Sequence, residues 1–212
     1  MSETVIQVSS LGKRIKGKTI LEDISFEINK GDCVALIGPN GAGKTVLMSC
    51  ILGDKKPSSG QVLIDGKAGK AKNQIAVLLQ ENTIPNSLKV EELIAFFQAI
   101  SDNPLTNQEV QNLLQFKEDQ YQQFADKLSG GQRRLLAFVL CLIDKPKILF
   151  LDEPTAGMDT STRQRFWEIV NDLKKAGTTI LYSSHYIEEV EHTADRILVL
   201  HQGKLIRDTT PY

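Results

Sequence analysis

The 212-residue chain carries 25 basic and 26 acidic side chains, which gives a formal net charge of −1. This balance provides no global attraction to nucleic acid or anionic lipid, so no nucleic-acid partner is expected. The length suits one α/β domain with an inserted lobe and is ample for a hydrophobic core. The N-terminus lacks the basic and apolar regions of a signal peptide, and no apolar stretch approaches the roughly 20 residues of a membrane span. A soluble, cytosolic protein is predicted.

The three cysteines, Cys33, Cys50 and Cys141, stand in apolar surroundings without C-x-x-C spacing. Their odd number and their setting indicate buried free thiols in a reducing compartment. Neither a disulfide nor a zinc site is expected.

The first part of the chain predicts antiparallel strands followed by a strand, a loop and a helix. Alternation of apolar and polar residues predicts strands over Thr4–Val8 and Leu21–Ile28. The predicted elements that follow are a strand over Cys33–Ile37, a helix from Lys44 to Gly53, a loop over Pro57–Gly60, and strands over Gln61–Asp65 and Ile75–Leu79.

Between the strand and the helix, the eight residues GPNGAGKT match the pattern G-x-x-x-x-G-K-[ST]. Glycines let the backbone approach an anion, so that successive N–H groups and the helix N-terminus face phosphate oxygens. Lys44 is expected to reach the β- and γ-phosphates and Thr45 to ligate Mg²⁺. The phosphate-binding candidates are Gly38, Pro39, Asn40, Gly41, Ala42, Gly43, Lys44 and Thr45. A Gly-rich turn before an ordinary helix is the alternative, which the strand–loop–helix context disfavours.

Residues 81–144 are predicted to form a mostly helical lobe, set into an α/β core made of 1–80 and 145–212. Helical periodicity covers Glu91–Ile100, and a capping box at Thr106 opens a second helix that continues to about Phe116. A third, strongly apolar helix is predicted over Arg133–Ile143.

The last part of the chain alternates strands and helices. The predictions are a buried strand over Lys147–Leu151, a helix over Thr160–Ala176 capped by Asp159, a strand over Thr178–Tyr182, a short helix over Ile187–Thr193, and strands over Ile197–Leu200 and Lys204–Arg207. The fold class is therefore α/β: a P-loop core with a mixed, largely parallel sheet, an N-terminal antiparallel β subdomain and the inserted helical lobe.

Two carboxylates, Asp152 and Glu153, end the apolar run ILFLDE. Ligands of open α/β sheets bind at the carboxyl ends of the strands, so Asp152 is expected in the Mg²⁺ shell beside the P-loop. Glu153 can polarise water for attack on the γ-phosphate. In isolation the pair could be a solvated turn, and only its combination with the P-loop favours the catalytic interpretation.

The sequence LSGGQ at 128–132 precedes the apolar helix. Ser129 can cap that helix, and Gly130 and Gly131 leave its first N–H groups bare, which makes a second anion-binding surface. A capped helix that merely tolerates two glycines is the alternative, but each glycine costs about 1 kcal/mol in helix propensity.

Together these motifs resemble the ATP-binding cassette family over nearly the whole chain. GPNGAGKT, Gln80, LSGGQ, ILFLDEP, Gly157-Met158-Asp159 and SSHYIEEVE with His185 occur in the family's order. The resemblance implies an ATPase with Mg²⁺ as cofactor, and Glu153, His185 and Gln80 as the catalytic residues. The implied metal ligands are Thr45, Gln80 and Asp152.

The same resemblance implies a head-to-tail dimer of the chain with itself or with a homologous subunit. Each ATP would then lie between the P-loop of one subunit and Ser129, Gly130, Gly131, Gln132 and Asp159 of the other. Whether the dimer is homomeric or heteromeric stays open.

Several segments, LDEPTAGMD, SSHYIEEVE and SLKVEELIAFF, resemble ATPases that serve drug and antibiotic exporters of the ABC-2 type. This resemblance implies an integral membrane permease as partner, a peripheral position on the cytoplasmic face of the membrane, and drug, antibiotic or lipid-like substrates. One alternative is a non-transport cassette ATPase that assembles or remodels a soluble complex, although no long insertion or basic groove is visible. A P-loop nucleotide kinase is another, but it leaves LSGGQ unexplained.

One position departs from the family pattern. Ile15 stands where members usually carry an aromatic residue that stacks on adenine. An aliphatic side chain lacks π-stacking, so weaker adenine affinity and poorer discrimination between ATP and GTP are expected.

Overall fold

The computed structural model describes residues 3–68, 75–80, 84–85 and 87–211. The strands are β1 Thr4–Ile15, β2 Lys18–Asn29, β3 Cys33–Ile37, β4 Ser59–Ile64, β5 Ile75–Leu78, β6 Ile148–Asp152, β7 Thr179–Ser184, β8 Arg196–His201 and β9 Lys204–Thr209. The helices are α1 Lys44–Ile51, α2 Val90–Ala99, α3 Asn107–Leu114, α4 Glu118–Tyr121, α5 Gly130–Leu142, α6 Thr160–Lys175 and α7 Ile187–Thr193. None of these helices has the length and apolar composition needed to cross a membrane.

The main sheet has six strands in the order β5-β6-β7-β3-β8-β9, all parallel except β9, which pairs antiparallel with β8. Its central strands are buried on both faces, as their continuous apolar sequences require. Successive side chains alternate between two hydrophobic clusters: Leu149 and Leu151 pack on one side of β6, and Ile148 and Phe150 on the other. The sheet therefore separates two cores.

A smaller antiparallel sheet, β2-β1-β4, covers one face of the main sheet together with α1. The opposite face packs against α2, α3, α5 and α6. This arrangement confirms the α/β class, the mixed and largely parallel sheet and the N-terminal antiparallel sheet. The predicted lobe boundary at residue 81 lies outside the described residues.

Two predicted boundaries were wrong and one short helix was missed. The first strand continues to Ile15 rather than Val8, with register shifts against β2 that break the alternation of its sequence. The predicted loop ended too late, because β4 already begins at Ser59, whose hydroxyl occupies the space that a Cβ at Gly12 would fill. The short helix α4 carries no buried residue, so it leaves no apolar periodicity to detect.

Candidate functional site

The phosphate-loop candidates lie between β3 and α1, where the chain needs glycine. Gly43 has φ 108°, and a Cβ there would come within 2.8 Å of the Leu21 side chain. At Gly38 the Leu200 carbonyl oxygen would lie only 2.1 Å from a Cβ. The Ala42 N–H donates to the Pro39 carbonyl at 3.1 Å, which closes the turn. The loop therefore holds its backbone tightly at the carboxyl end of the main sheet.

Lys44 is almost fully buried, with 6% of its surface exposed, although it begins a helix. Its ammonium group donates to the Gly38 carbonyl at 2.7 Å and lies 4.0 Å from Glu153 Oε1. A buried ammonium needs such partners, because an unpaired charge is expensive to desolvate. The ammonium group of Lys44 is thus held between the Gly38 carbonyl and the Glu153 carboxylate.

Asp152 ends β6 and is buried, with 2% exposed. Its Oδ2 accepts a hydrogen bond from Thr45 Oγ1 at 2.8 Å, and its Oδ1 accepts one from Ser183 Oγ at 2.5 Å. The structure therefore brings together Thr45 and Asp152, two of the three residues that the sequence assigned to Mg²⁺. Ser183 was missed, because only the parallel pairing of β6 with β7 places it opposite Asp152.

Glu153 has a left-handed backbone (φ 43°), and its N–H donates to Ser183 Oγ at 2.9 Å. Its carboxylate lies between two other predicted catalytic residues. His185 Nδ1 is 3.4 Å from Oε1, and Gln80 Nε2 is 3.5 Å from Oε2. Gln80, Glu153 and His185 thus come from the ends of three adjacent strands to one point above the P-loop.

Arg134 is a second residue that the sequence analysis missed, and it contacts the backbone of Gln80 and Glu153. It belongs to α5, is 9% exposed, and donates only to backbone carbonyl groups around Gln80 and Glu153. In the sequence, Arg134 directly precedes the apolar part of α5.

The LSGGQ segment forms a capping box at the start of α5. Ser129 Oγ accepts from the Gln132 N–H at 3.2 Å, and Gln132 Oε1 accepts from the Ser129 N–H at 3.1 Å. The Ser129 cap was predicted, but α5 begins at Gly130 and not at Arg133, because the box stabilises glycines that propensity alone disfavours. A Cβ at Gly130 would meet no atom within 4 Å, so this helix end faces open space.

Asp159 caps α6, as predicted, by accepting from the Thr162 N–H at 3.0 Å. The Ser161 and Thr162 hydroxyls also donate to it, each at 2.7 Å. These bonds, the backbone N–H first among them, hold the pKa of Asp159 well below its usual range. Gly131 packs closely on this loop, since a Cβ there would lie 3.2 Å from Asp159 Oδ2.

A cavity of about 350 Å³ opens above the P-loop. Its described lining residues are Ile20, Asn40, Gly41, Gly43, Lys44, Thr45, Val46, Gln80 and Glu153. Among the described residues, neither the LSGGQ segment nor Ile15 contributes to this lining. Ile15 is half-buried at the end of β1, where it pairs with Lys18.

A P-loop, a buried aspartate bonded to its threonine and a glutamate beside its lysine define a P-loop nucleotide triphosphatase. The family profile described as "ABC transporter" matches residues 21–156. Nod factor export ATP-binding protein I of Ralstonia nicotianae is 33% identical over 100% of this chain and 68% of its own length. The probable multidrug ABC transporter ATP-binding protein YbhF of Escherichia coli is 33% identical over 99% of this chain but only 38% of its own length.

Among solved structures, an ATP-binding subunit of an ABC transporter superimposes with a TM-score of 0.85 at 27% identity, over 97% of this chain and 90% of that one. The chain belongs to the ABC transporter family. It is an ATP-binding and ATP-hydrolysing subunit that powers a transporter.

Proposed function

We propose that the chain is the ATPase subunit of an ABC exporter and that it acts as a head-to-tail dimer. The observation that carries this proposal is the placement of the two phosphate-binding helix N-termini. The P-loop lines the cavity, whereas Ser129–Gln132 lies outside it and opens to the surface at Gly130. A second copy can then supply Ser129, Gly130, Gly131, Gln132 and Asp159 to an ATP bound on the first.

Within one copy, Gly38–Thr45 would bind the phosphates through backbone N–H groups and the N-terminus of α1. Lys44 would shift its ammonium group from the Gly38 carbonyl towards the β- and γ-phosphate oxygens. The buried position of Lys44 supports this role, since a charge in a site from which water is excluded acts more strongly than one in water.

The donor set around Thr45 fits Mg²⁺. A threonine hydroxyl and a buried carboxylate oxygen lie 2.8 Å apart, and Gln80 lines the same cavity as Thr45. Hard oxygen ligands of this kind suit Mg²⁺, which also takes phosphates and water. We assign Thr45, Asp152 and Gln80 to its coordination. When bound, Mg²⁺ neutralises charge on the β- and γ-phosphates.

Glu153 would act as the general base that takes a proton from the attacking water. Its carboxylate is largely buried, and His185 and Gln80 approach its two oxygens separately, so both can hold it and contact the γ-phosphate end of the nucleotide. This geometry supports the three assigned catalytic roles.

The partner would be an integral membrane permease, with this chain bound peripherally on the cytoplasmic face of the membrane. Two relatives carry names that describe export of Nod factor and multidrug transport. On this basis we assign the chain to export of drug, antibiotic or lipid-like molecules, with the helical lobe passing dimer closure to the permease.

The catalytic assignment predicts different outcomes for two variants. Glu153→Gln should keep ATP affinity while lowering kcat about 10²-fold or more, the usual contribution of a general base. Lys44→Ala should lose ATP binding itself. Steady-state turnover and nucleotide binding on purified protein measure both effects, with Glu168→Gln on the exposed side of α6 as the matched control. Turnover near wild type in Glu153→Gln would refute the assignment.

The transport assignment is tested with tagged Glu153→Gln expressed in its native membranes and trapped with Mg-ATP. Co-purification of an integral membrane protein in roughly equal amount supports the exporter. Recovery of soluble proteins or nucleic acid alone would instead indicate a remodelling ATPase, with the ATPase chemistry unchanged.

A further inference from the structure

The side chain of Arg134 makes an unusually complete set of hydrogen bonds. A guanidinium has five N–H donors in a rigid planar fork. Here each donor has its own backbone carbonyl: Leu79 and Gln80 for Nη1, Asp152 and Glu153 for Nη2, and Pro154 for Nε. The bonds to the carbonyls of Gln80 and Asp152 are each 3.0 Å long, and those to Glu153 and Pro154 are 3.4 and 3.1 Å long.

These carbonyls lie at the end of β6 and in the segments that directly follow β5 and β6. Strand β5 ends at Leu78 and β6 at Asp152, so the backbone beyond them lacks the partners that a sheet supplies. The guanidinium of Arg134 donates hydrogen bonds to these carbonyls in place of a neighbouring strand. Because it binds main-chain atoms, the side chains of Gln80 and Glu153 stay directed to each other, 3.5 Å apart.

No carboxylate forms an ion pair with Arg134 among the residues that the structure describes. Burial lowers the pKa of the Arg134 guanidinium, but an arginine keeps its charge in proteins. A buried charge without an ionic partner is costly unless every donor is satisfied. The arrangement is therefore specific to arginine: lysine offers three donors from a single nitrogen and cannot reach two separate segments at once.

Helix α5 carries both Arg134 and the LSGGQ segment, with only one residue between Gln132 and Arg134. A shift of the helix end would therefore move the guanidinium and, through it, the backbone of Gln80 and Glu153. In the proposed dimer, the same helix end contacts the ATP of the other copy.

We infer that Arg134 is a positioning residue, which sets the places of Glu153 and Gln80 in its own chain and links them to the LSGGQ segment of that chain. The inference rests on the proposed function, because it assumes that Glu153 and Gln80 serve hydrolysis. In the proposed dimer, the LSGGQ segment of a chain contacts the ATP bound to the other copy. Arg134 would link that contact to Gln80 and Glu153, which serve the ATP bound to its own chain.

The first test separates positioning from folding. Arg134→Met should lower kcat about 10- to 100-fold, as a displacement near 1 Å does, while ATP affinity of the isolated subunit changes less than about threefold. Arg134→Lys should recover part of kcat. The matched control is Arg165→Met, since Arg165 also donates to two backbone carbonyls, those of Leu113 and Asn112, but far from the cavity.

Thermal unfolding of both variants completes this test. If Arg165→Met loses as much stability as Arg134→Met yet keeps its turnover, the loss at Arg134 is one of positioning. Equal kcat losses in the two variants at equal stability, or a loss of ATP affinity that matches the loss of kcat, would overturn the inference. Glu153→Gln is measured in the same series to distinguish a failure of this inference from a failure of the proposed function. If Glu153→Gln retains turnover, it is the proposed catalytic role of Glu153 that has failed.

Mixed dimers test the link to the subunit's own site. In one arrangement, Arg134→Met and Glu153→Gln lie on different chains, so the intact Glu153 is in the same chain as the mutated Arg134. In the other, both changes lie on the same chain, so the intact Glu153 has a normal Arg134. The inference expects the larger kcat loss in the first arrangement; equal losses, or a larger loss in the second, would overturn it.

Discussion

At the scale of single residues, the candidate site depends on a serine that none of the sequence motifs assigned to it. Ser183 donates to Asp152 Oδ1 and accepts from the Glu153 N–H, so one hydroxyl orients two consecutive carboxylate residues. It is fully buried, and no water can replace it without a change in packing. The hydroxyl therefore couples the carboxylate of Asp152 to the backbone of Glu153.

Ser183→Ala is expected to lower both stability and turnover. It leaves a buried N–H and a carboxylate oxygen without this partner, which costs about 1–3 kcal/mol of unfolding free energy. It should also lower kcat, because Asp152 and Glu153 lose their common anchor. Denaturant unfolding and steady-state ATPase assays measure the two effects.

Ser25→Ala serves as the control for this variant, because it removes a similar contact, from the Ser10 N–H to Ser25 Oγ at 2.8 Å, in the smaller sheet. Its turnover should stay at the wild-type level. A Ser183→Ala protein with wild-type kcat would show that the Asp152–Ser183–Glu153 network has no part in hydrolysis.

At the scale of elements, the N-terminus of α6 is stabilised by a charged cap. The folded-state pKa of Asp159 lies below its unfolded value, so the charge contributes stability that is fully present above the unfolded pKa, about 3.9, and is lost as pH falls through the folded pKa. Asp159→Asn keeps a good N-cap side chain but removes the charge.

The stability difference between wild type and Asp159→Asn should therefore be largest near neutral pH and should shrink once the pH falls below about 4. Chemical denaturation at a series of pH values gives this difference directly. Asp172→Asn, which removes a surface pair with Lys175 on the same helix, controls for the loss of a charge from α6. A difference that stays constant or grows as the pH falls would contradict the interpretation of the cap.

The elements that the sequence predicted well are those with one dominant signal. The buried strands β3 and β6 are almost continuous apolar runs, and Asp159 and Ser129 are strong N-cap residues. The start of α5 was wrong because a local side-chain cap outweighs the intrinsic helix propensity of its first residues. Gly130 and Gly131 are poor helix formers, yet they begin α5 because the capping box holds them.

The candidate site shows the same division. Motif spacing identified Lys44, Asp152 and Glu153, because each lies at a strand end or a helix start that can be placed from sequence. Arg134 and Ser183 could not be assigned in this way. Their partners are backbone atoms or side chains from distant segments, and only the register of β5, β6 and β7 brings those segments together.

At the scale of the whole molecule, the cavity and the LSGGQ surface are separate features of one chain. The net charge of −1 leaves little overall repulsion between two copies. In the proposed dimer, closure would therefore depend on local contacts to ATP, and ATP binding should shift the association equilibrium by mass action.

Glu153→Gln is expected to be a monomer without nucleotide and a dimer with Mg-ATP, because it binds ATP without consuming it. Light scattering coupled to gel filtration measures the mass directly.

Removal of Mg²⁺ with EDTA should return the protein to monomer, since the charge on the phosphates is then no longer neutralised beside Asp152. The double variant Lys44→Ala, Glu153→Gln should remain monomeric in Mg-ATP, which ties association to the P-loop. A Glu153→Gln protein that binds ATP but stays monomeric at every protein concentration would refute the head-to-tail dimer. A dimer that forms equally without nucleotide would place the interface elsewhere on the surface.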